Sequence, residues 1–494
     1  MALFVFALVL LASIGIALLA RKGLIRNNMN EIMVASGSFG PFLLFFVSVG
    51  EIYSIGTLIG APGALYSRGA NYGVWFTCYI LLAYVVGYWL NPAIWRLGQL
   101  AKAVTIADLF GWRFNSKAVE IIAAITCIIF LMPWVQNQFA GMGILFQYLD
   151  LGIEFGPAVV VSSIIAFIYI AIAGIKAPAY VSILKDFLLI GVIVIIGVAC
   201  AMNYPGGYEG IFRTIAEKMP KMLTVTTEPI TAGATFTIST ILFQMLGFYM
   251  LPITLQGTLA SASAKNLRRN SILMPLYMIM FPFLIIIAYF ALLTTPGLAK
   301  ADFALLAVTV KLLPSWVIGL VAGGAALTAI LVMAFTGLCV GGMFAKNILG
   351  NIKPDMPERQ MVWWTQAATA LFLLGGIILA LYYPTLMAGV IVVSYSGLTQ
   401  TFVGILLAFC WRGATKWGIG AGLIVGVAAL FLINTVPYAI NKGAVALALN
   451  FIVAIGVSLA TKPDSVTVQR FEAYITNRTK KQFAEYHASQ NTHS

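Results

Sequence analysis

Long apolar runs constrain this 494-residue chain more than any other feature. A helix needs about 20 apolar residues to cross a bilayer, and thirteen runs approach or exceed that length. They fall near residues 2–20, 40–62, 72–95, 118–147, 156–174, 179–202, 234–256, 272–296, 315–345, 361–383, 385–411, 415–434 and 443–461. Because the runs are continuous rather than alternating, they exclude an outer-membrane β-barrel. The predicted fold class is an all-α polytopic membrane protein with about thirteen transmembrane helices.

The composition excludes several other classes of protein. With 61% hydrophobic and 9% charged residues, the chain is unlike a soluble domain. The formal net charge of +13 is spread along short loops, so we interpret it as a membrane-orientation signal rather than a nucleic-acid surface. We therefore expect the lipid bilayer as a partner and no nucleic acid.

Residues suited to metal or cofactor chemistry are scarce inside the predicted spans. All five cysteines fall within apolar runs, which argues against a disulfide framework or a metal cage. Both histidines, His487 and His493, lie in the polar C-terminal tail, so haem ligation and histidine catalysis are excluded from the membrane region. The sequence also lacks the phosphate-binding pattern GxxxxGK followed by Ser or Thr. We expect no enzyme activity, no cofactor, no metal site and no ATP-driven transport.

The distribution of basic residues predicts the orientation in the membrane. With the N-terminus outside and the loops alternating, the inner loops hold 21 of the 29 lysines and arginines and the outer loops hold 7. This bias predicts an N-out, C-in protein with an odd number of spans in a bacterial cytoplasmic membrane. The longest outer loop, residues 203–231, is expected to carry a short surface helix. The polar C-terminal tail is expected to form either a surface helix or a disordered segment.

The stretch 45–63 is apolar overall, yet it contains Glu51, four hydroxyl side chains and four glycines. Ionisable groups inside membrane spans are costly and usually functional. Glycine and a following proline weaken a helix, and such interrupted spans mark binding sites in membrane transporters. We interpret this stretch as a broken helix that holds substrate and coupling ion. Burial favours the neutral form of the Glu51 carboxyl, which suits it to carrying a proton; a structural carboxylate is the alternative.

Two more charged residues, Lys185 and Asp186, lie a turn or two inside the sixth run. A lysine at that depth either extends to the membrane interface or points inward, where its ammonium occupies a space that a cation fills in relatives. Asp186 is expected to be the partner of Lys185 or an interfacial group.

A second interrupted segment, residues 243–257, lies five spans after the first. Paired broken segments predict two repeats with the site at their interface. Polar clusters in the fourth and eleventh spans should face the bundle interior, because polar groups in hydrocarbon need partners. Interhelical hydrogen bonds are the alternative role for such groups. The candidate substrate contacts are Tyr53, Ser54, Gly56, Thr57, Gln136, Gln138, Gln244, Tyr249, Tyr395 and Gln400.

Several segments carry a family resemblance that extends over nearly the whole chain. The segments 59–66 (Ile-Gly-Ala-Pro-Gly-Ala-Leu-Tyr), 105–114, 174–180 and 265–269 resemble those of the sodium:solute symporter family. Within that family, Glu51, the Lys185–Asp186 pair and the segment 251–263 are similar to the bacterial monocarboxylate permeases.

The resemblance implies a leucine-transporter-like fold of two inverted five-helix repeats, near 40–202 and 234–411, with flanking helices at both ends. A single transporter domain would cover residues 1–462, and a cytoplasmic tail would follow at 463–494. The substrate would lie between the two broken helices and cross by alternating access. It is expected to be a small organic anion, most simply a monocarboxylate, whose carboxylate meets backbone N–H groups around Gly56.

The departures from the family pattern concern the sodium site. The sodium-binding Ser/Thr pair of the family falls on Leu331 and Val332, which offer no side-chain oxygen. Thr328 and Thr336 lie about one turn away and would supply an oxygen only in a shifted register. The commonest sodium site of the family is therefore expected to be dismantled.

Two further departures lie in the sixth span. The inner acidic residue of the family falls on Ser182, and its usual glutamine falls on Lys185. We expect a fixed ammonium in place of structural sodium and Glu51 as the carrier of the driving proton. The predicted ion-coupling residues are therefore Glu51, Ser182, Lys185 and Asp186.

Three functions remain open on these grounds. The first is a proton-coupled importer of a monocarboxylate. The second is a sodium-coupled symporter for an amino acid, pantothenate or another organic solute. The third is a channel or a membrane subunit of a larger assembly, which would show ion currents without saturable uptake.

Overall fold

The computed structural model describes residues 1–21, 28–149, 154–225, 233–382 and 387–476. The first part of the chain forms α1 (Ala2–Leu19), α2 (Met29–Val34), α3 (Pro41–Ile52), α4 (Ala61–Arg68), α5 (Ala70–Ala101), α6 (Ile106–Phe114), α7 (Lys117–Leu149), α8 (Phe155–Ala173), α9 (Lys176–Met202) and α10 (Gly207–Lys218). Short irregular helical turns join several of these elements, among them a π-helical turn at Gly56–Gly60 that leads into α4.

The second part of the chain continues the helical pattern. It forms α11 (Ala234–Gly247), α12 (Pro252–Ala260), α13 (Ala264–Leu273), α14 (Phe281–Thr294), α15 (Ala304–Leu312), α16 (Ser315–Gly342), the one-turn helix α17 (Gly350–Ile352), α18 (Glu358–Tyr382), α19 (Met387–Leu398), α20 (Thr401–Cys410), α21 (Lys416–Leu432) and α22 (Lys442–Ala460). A last helix, α23, spans residues 465–476.

The membrane spans follow the apolar runs of the sequence. Among the described residues, nine helices are long and apolar enough to cross a membrane. Two more spans are bent pairs, Pro41–Ile52 with Gly56–Arg68 at 55° and Ala234–Met250 with Pro252–Ala260 at 46°. Two shorter apolar helices, Val159–Ala173 and Lys416–Leu432, occupy the remaining predicted runs. The prediction of an all-α polytopic protein is confirmed, and the described residues supply nine to eleven candidate spans for the thirteen predicted runs.

Helix α16 is the most deeply buried of the long spans, and its small residues let neighbouring helices approach closely. A Cβ atom on Gly319 would lie 2.4 Å from the carbonyl oxygen of Ala2 in α1. A Cβ atom on Gly341 would lie 2.2 Å from the carbonyl oxygen of Thr365 in α18. Backbones packed this closely need small residues at the contact, so the glycines of α16 allow α1 and α18 to pack directly against it.

Two ends of the bundle are named here after the short helices that lie there, the α6 end and the α10 end. At the α6 end, the segment 28–39 crosses the bundle. The Ile175 backbone N–H donates to the Ile32 carbonyl at 2.9 Å, and Phe39 forms a parallel β-bridge with Ser261 after α12. At the α10 end, the predicted surface helix of the longest outer loop is present as α10, which buries Ile211 and Ile215.

The start of the C-terminal tail packs against the α6 end. The fully buried Arg113 in α6 donates to the carbonyl oxygens of Ala408 and Thr467, at 2.7 and 2.9 Å. Thr467 belongs to α23, so this guanidinium fixes the tail helix to α20. The helical alternative for the tail is confirmed for residues 465–476, and the Phe483 segment lies outside the described residues.

A buried carboxyl group fixes the loop between α14 and α15 to neighbouring helices at the α10 end. Asp302 packs against Gly63 of α4, where a Cβ atom would lie 2.6 Å from the Asp302 Cα. The backbone N–H of Met387, at the start of α19, donates to this carboxyl. Burial raises the pKa of Asp302 to about 6, while the Met387 N–H and Lys300 limit the rise. The loop is therefore held to α4 and α19 through a carboxyl that prefers its neutral form.

We predict that Asp302 makes the stability of the protein fall as the pH rises from about 4 to about 7. Its pKa is raised above the ordinary 3.8, so the stability it contributes is present at low pH and is lost as the pH passes 6. The full change amounts to at most about 3 kcal/mol. Asp302→Asn keeps the acceptor for the Met387 N–H but does not titrate. In detergent, the Tm of wild type minus that of Asp302→Asn should decrease over this pH range, and a constant difference would show that the carboxyl is not held in this way.

Candidate substrate and ion-coupling site

The first broken span supplies the backbone of the site. Helix α3 ends at Ile52, and the chain leaves helical geometry at Tyr53 before the π-helical turn begins at Gly56. A Cβ atom on Gly56 would lie 2.6 Å from the Nδ2 atom of Asn137 in α7. Glycine is therefore required here by the close approach of α7, in addition to weakening the helix.

The second broken span has a similar construction. Helix α11 ends at Gly247, and one irregular turn follows before Leu251 adopts an extended conformation. Pro252 then occupies the first position of α12, where its missing N–H costs no helical hydrogen bond. Both breaks therefore fall where the sequence predicts them.

The ammonium group of Lys185 is bound at the first break. Lys185 is fully buried in α9 and donates to the carbonyl oxygens of Gly50 and Tyr53, at 3.3 and 3.0 Å. These carbonyls lie where α3 ends and its regular hydrogen-bond pattern stops. An unwound backbone in a transporter offers such carbonyls to a cation, and here the cation is a side chain.

Asp186 neutralises this ammonium within the membrane. Its Oδ1 atom lies 2.5 Å from the Lys185 Nζ atom and also accepts a hydrogen bond from the Tyr277 hydroxyl at 2.9 Å. Asp186 is fully buried as well, so the expectation that it partners Lys185 is confirmed. The ring of Tyr277 stacks on Tyr53 with centroids 4.5 Å apart, which joins this ion pair to the break.

Glu51 lies apart from this ion pair. It is fully buried, and neither oxygen of its carboxyl has a hydrogen-bond partner among the described residues. The carboxyl packs against α12, where a Cβ atom on Gly257 would lie 3.4 Å from Oε2. A carboxyl without a cation in such surroundings is stable as the neutral acid, which is the form that carries a proton.

Two hydroxyl groups lie on the segment of α16 beside the first break. Leu331 and Val332 of this segment are fully buried, and their side chains contribute only carbon atoms. The hydroxyls of Thr328 and Thr336 donate to the carbonyls of Gly324 and Val332 in their own helix, each at 2.6 Å. Each threonine oxygen keeps its lone pairs, so the shifted-register alternative stays open.

Ser182, on the preceding turn of α9, likewise forms a hydrogen bond within its own helix. Its hydroxyl donates to the Ala179 carbonyl at 2.7 Å. Its Cβ atom lies against Gly50, where a side chain would come within 2.8 Å of it. The residue therefore lets α9 approach α3 closely enough for Lys185 to reach the break.

Helices α7, α11 and α19 pack together beside the first break and carry buried side chains with unpaired polar atoms. We call this set of side chains the donor cluster; it consists of Trp134, Asn137, Gln244 and Ser394. Among the described residues, no hydrogen-bond partner is present for Trp134 Nε1, Asn137 Nδ2, Asn137 Oδ1, Gln244 Nε2 or Ser394 Oγ. Buried polar atoms without partners need an explanation, and a bound ligand or water molecule supplies one.

Aromatic contacts connect the donor cluster to α5. The Trp75 indole N–H donates to Gln244 Oε1 at 2.7 Å, which leaves the Nε2 group of that amide available. Trp75 stacks on Tyr79, and Tyr79 contacts Tyr395 with centroids 5.6 Å apart. The Tyr395 ring in turn meets Trp134 at 6.0 Å. The donors therefore belong to one aromatic-walled region.

The backbone N–H groups expected to meet a substrate carboxylate are already bonded. The N–H of Gly56 donates to Ser54 Oγ at 3.1 Å. The N–H groups of Thr57 and Leu58 donate to the Ser54 carbonyl at 2.8 and 3.2 Å. This arrangement favours side chains of the donor cluster over the backbone as contacts for a carboxylate.

The predicted substrate residues divide into two groups. Ser54, Gly56, Thr57, Gln244 and Tyr395 lie at the break or in the region of the donor cluster. Gln138 lies beside this group, with its amide N–H bonded to the Trp134 carbonyl and its Oε1 atom without a partner among the described residues.

Four predicted side chains point elsewhere. The Tyr53 hydroxyl pairs with Tyr84. The Gln136 amide donates to the Leu379 carbonyl of α18, and the Tyr249 ring packs against Gly87 of α5. The Gln400 amide bonds Asn450 of α22 and the Ser396 carbonyl. These four side chains are left out of the proposed substrate site.

The structure adds residues that the sequence reasoning did not select as substrate contacts. Trp134 and Asn137 were visible as part of a polar cluster, and their spacing of three places them on one helix face. Trp75 and Tyr79 belong to a continuous aromatic stripe in α5, which also fits a simple packing role. Tyr277, which holds Asp186, carried no sequence signal.

Comparisons with known proteins agree with the architecture. The profile of the sodium:solute symporter family matches residues 32–426. An uncharacterized symporter of Bacillus subtilis, YhjB, is 31% identical over 92% of this chain and 96% of its own length. A monocarboxylate transport permease protein of Rhizobium johnstonii is 24% identical over 93% of this chain and 96% of its own length.

A solved structure gives the fold. A Na+-coupled sialic acid symporter in a substrate-bound outward-open state superposes with a TM-score of 0.75, covering 93% of this chain and 98% of that one at 16% identity. The leucine-transporter-like fold is confirmed by this likeness.

We predict that Lys185→Met strongly destabilises the protein. Removing one partner of a buried ion pair leaves an unpaired charge, which costs about 3–5 kcal/mol. The double variant Lys185→Met with Asp186→Asn should recover most of the loss in Tm, because no charge then remains. Ser182→Ala is the matched control on the same helix and should change the Tm little, since its hydroxyl bonds only to its own helix. A Lys185→Met protein as stable as wild type would contradict the pairing.

Proposed function

Because this chain belongs to the sodium:solute symporter family and is a symporter for a small organic solute, we propose that it imports a monocarboxylate together with a proton. Transport proceeds by alternating access, with the substrate held between the two broken spans. The observation that carries the proposal is the Lys185 ammonium on the carbonyls of Gly50 and Tyr53, with Glu51 left unpaired nearby.

The donor cluster supports an anionic substrate. Trp134, Asn137 and Gln244 each present an N–H group with no acceptor among the described residues. A carboxylate is an acceptor with two oxygens, and hydrogen bonds to a charged group are stronger than those between neutral groups. These neutral donors bind a carboxylate without placing a second fixed cation in the membrane. The monocarboxylate permease among the relatives supports the same substrate class.

The identity of the coupling ion follows from which groups at the first break are not already bonded within the protein. A sodium ion needs a shell of oxygen ligands, and the carbonyls of Gly50 and Tyr53 are already bonded to Lys185. Leu331 and Val332 supply no oxygen from their side chains. Among the described residues at the breaks, Glu51 is the carboxyl that is not paired with a cation, and it crosses between the two sides as a neutral acid. It therefore carries the driving proton.

The orientation proposed from the basic residues places the α6 end in the cytoplasm and the N-terminus outside a bacterial inner membrane. The two inverted repeats, near 40–202 and 234–411, then supply one broken span each to the site. Asp302 lies on the external side, and the segment 28–39 on the cytoplasmic side. Opening of either side exposes the site to one compartment at a time.

Sodium coupling is the competing function, and the Na+ coupling of the sialic acid symporter and the name of the sodium:solute symporter family favour it. It requires a sodium site that does not use the carbonyls of Gly50 and Tyr53, because Lys185 is bonded to both. Other backbone carbonyls near Ser54 and groups on α16 would form such a site. The two couplings differ in a direct measurement of uptake.

We predict that reconstituted protein accumulates labelled lactate, pyruvate or acetate in response to an inward proton gradient without sodium. Accumulation requires release of a proton from Glu51, so Glu51→Gln should abolish accumulation while still allowing exchange of internal for external substrate. Uptake that needs a sodium gradient and ignores a pH gradient would contradict proton coupling. Accumulation retained in Glu51→Gln would show that another group carries the ion.

We predict that Trp134→Phe and Gln244→Leu each raise the KM for the substrate by about tenfold or more. Each variant removes one N–H group that donates to a charged carboxylate. Gln136→Leu is the matched control, because the Gln136 amide bonds the Leu379 carbonyl away from the donor cluster. An equal rise in KM for Gln136→Leu, or none for Trp134→Phe and Gln244→Leu, would contradict the assignment of the donor cluster.

A further inference from the structure

Gln256 in α12 connects three segments with one amide group. Its Oε1 atom accepts a hydrogen bond from the Cys339 thiol of α16 at 2.7 Å. Its Nε2 atom donates to the Met33 carbonyl of α2 at 2.5 Å. The side chain is almost fully buried. The amide therefore joins α12 and α16 to the segment 28–39 that crosses the α6 end.

The carboxyl of Glu51 packs against the next residue of α12, since a Cβ atom on Gly257 would lie 3.4 Å from the Glu51 Oε2 atom. Among the described residues, the charged groups on helices packed against α3 include Lys185 and Asp186 of α9, which are bonded to each other. Helix α13, which also packs against α3, carries Lys265, Arg268 and Arg269. Gln256 and Cys339 belong to α12 and α16, which both pack against α3.

Two cavities continue from this point toward the loops. The first is lined by Gln256, Cys339, Thr105 and apolar side chains, and about 10 Å³ of it is open to the centre of a water molecule. That volume is close to the minimum that holds one water molecule, and the three polar side chains offer it partners. The second cavity has a volume of about 660 Å³ and shares Val104 with the first.

The larger cavity opens to the aqueous side of the α6 end. Exposed Ser36, Lys102 and Glu358 line it together with the half-buried Lys346. Polar side chains and the two cavities therefore follow one another from Gln256 to the loops of the α6 end. The hydrogen-bonded Gln256 amide lies at the inner end of this series.

We propose that the proton carried by Glu51 leaves to the cytoplasm along this route, and that Gln256 is the plug that closes it. This inference rests on the proposed proton coupling. When the segment 28–39 moves, the bond between Gln256 and the Met33 carbonyl breaks and a water molecule reaches the carboxyl. The O–H bond of Glu51 then breaks, the water takes the proton as hydronium, and the carboxylate remains until it is protonated again from outside.

An amide suits the role of a plug. It donates and accepts hydrogen bonds but does not exchange a proton near neutral pH, so it blocks the route without relaying protons through itself. Other bonds also hold the segment 28–39 to the α6 end, and they must break or follow the movement. They include the ion pair of Glu31 with Lys176 and the bond from the Met29 N–H to Glu358 at 2.8 Å. They also include the bond from the Ile175 N–H to the Ile32 carbonyl and the backbone bonds of Phe39 with Ala260 and Ala262.

The test measures proton entry into proteoliposomes in the absence of substrate, driven by a potassium diffusion potential and read by an internal pH dye. Gln256→Ala should raise the proton flux by about tenfold or more, since two hydrogen bonds no longer hold the route closed. Adding Glu51→Gln to this variant should return the flux to the wild-type level. Thr258→Ala is the matched control on α12, because its hydroxyl bonds only the Thr254 carbonyl of the same helix.

Two outcomes of this test would overturn the inference. One is a proton flux through the Gln256→Ala protein equal to that of wild type, observed while Glu51→Gln still abolishes proton-driven accumulation. The other is a leak that persists when Glu51→Gln is added, because the protons then bypass Glu51. Failure of the proposed function is distinguishable, since Glu51→Gln would then retain accumulation in an otherwise wild-type protein.

A second measurement examines the plug without relying on proton coupling. In a full-length protein whose other four cysteines are replaced by alanine, N-ethylmaleimide should modify Cys339 about tenfold faster when Gln256→Ala is present. Thr258→Ala should leave the rate unchanged. Equal rates with and without Gln256→Ala would overturn the role of Gln256 as the plug, even if the variant transports poorly.

Discussion

The bond between the Lys185 ammonium and the carbonyls of Gly50 and Tyr53 is the interaction on which the rest of the site depends. A span broken in hydrocarbon leaves carbonyl groups that water cannot reach, and these groups require a cation or a donor. Here the chain supplies the cation from α9 and its counter-charge from Asp186. The break is therefore a neutral unit made of protein groups alone, and in the proposed function the coupling role belongs to a group outside it.

That arrangement explains why the two carboxyls of the region differ. Asp186 is bonded to an ammonium and to the Tyr277 hydroxyl, which stabilises its charged form. Glu51 packs against Gly257 of α12, and its carboxyl has no partner among the described residues, which stabilises its neutral form. One carboxyl is therefore part of an ion pair, and the other is the one that we propose to gain and lose a proton. The neutral donor cluster completes the site without adding a fixed charge that would compete with either.

Much of this fold is predictable from the sequence, because apolar length and the positions of glycine and proline determine it. The breaks at Gly56 and Pro252 are of this kind, whereas the sequence left open whether Lys185 points inward, and its bonds to the Gly50 and Tyr53 carbonyls decide this. The donor cluster is different. Gln136, Asn137 and Gln138 are consecutive polar residues, about 100° apart around α7, and composition does not say which of them faces the break. Likewise, the bond from Trp75 to Gln244 joins helices distant in sequence, so only the packing of α5 on α11 identifies it.

The most direct test of this account asks whether the intact protein binds sodium. Purified wild-type protein is heated in detergent with increasing NaCl, and in parallel with choline chloride at equal ionic strength. Because the Lys185 ammonium fills the carbonyl site, the account predicts the same Tm in both salts at every concentration. A saturable rise in Tm specific to sodium would show that a sodium site exists beside the ion pair, and it would contradict the account.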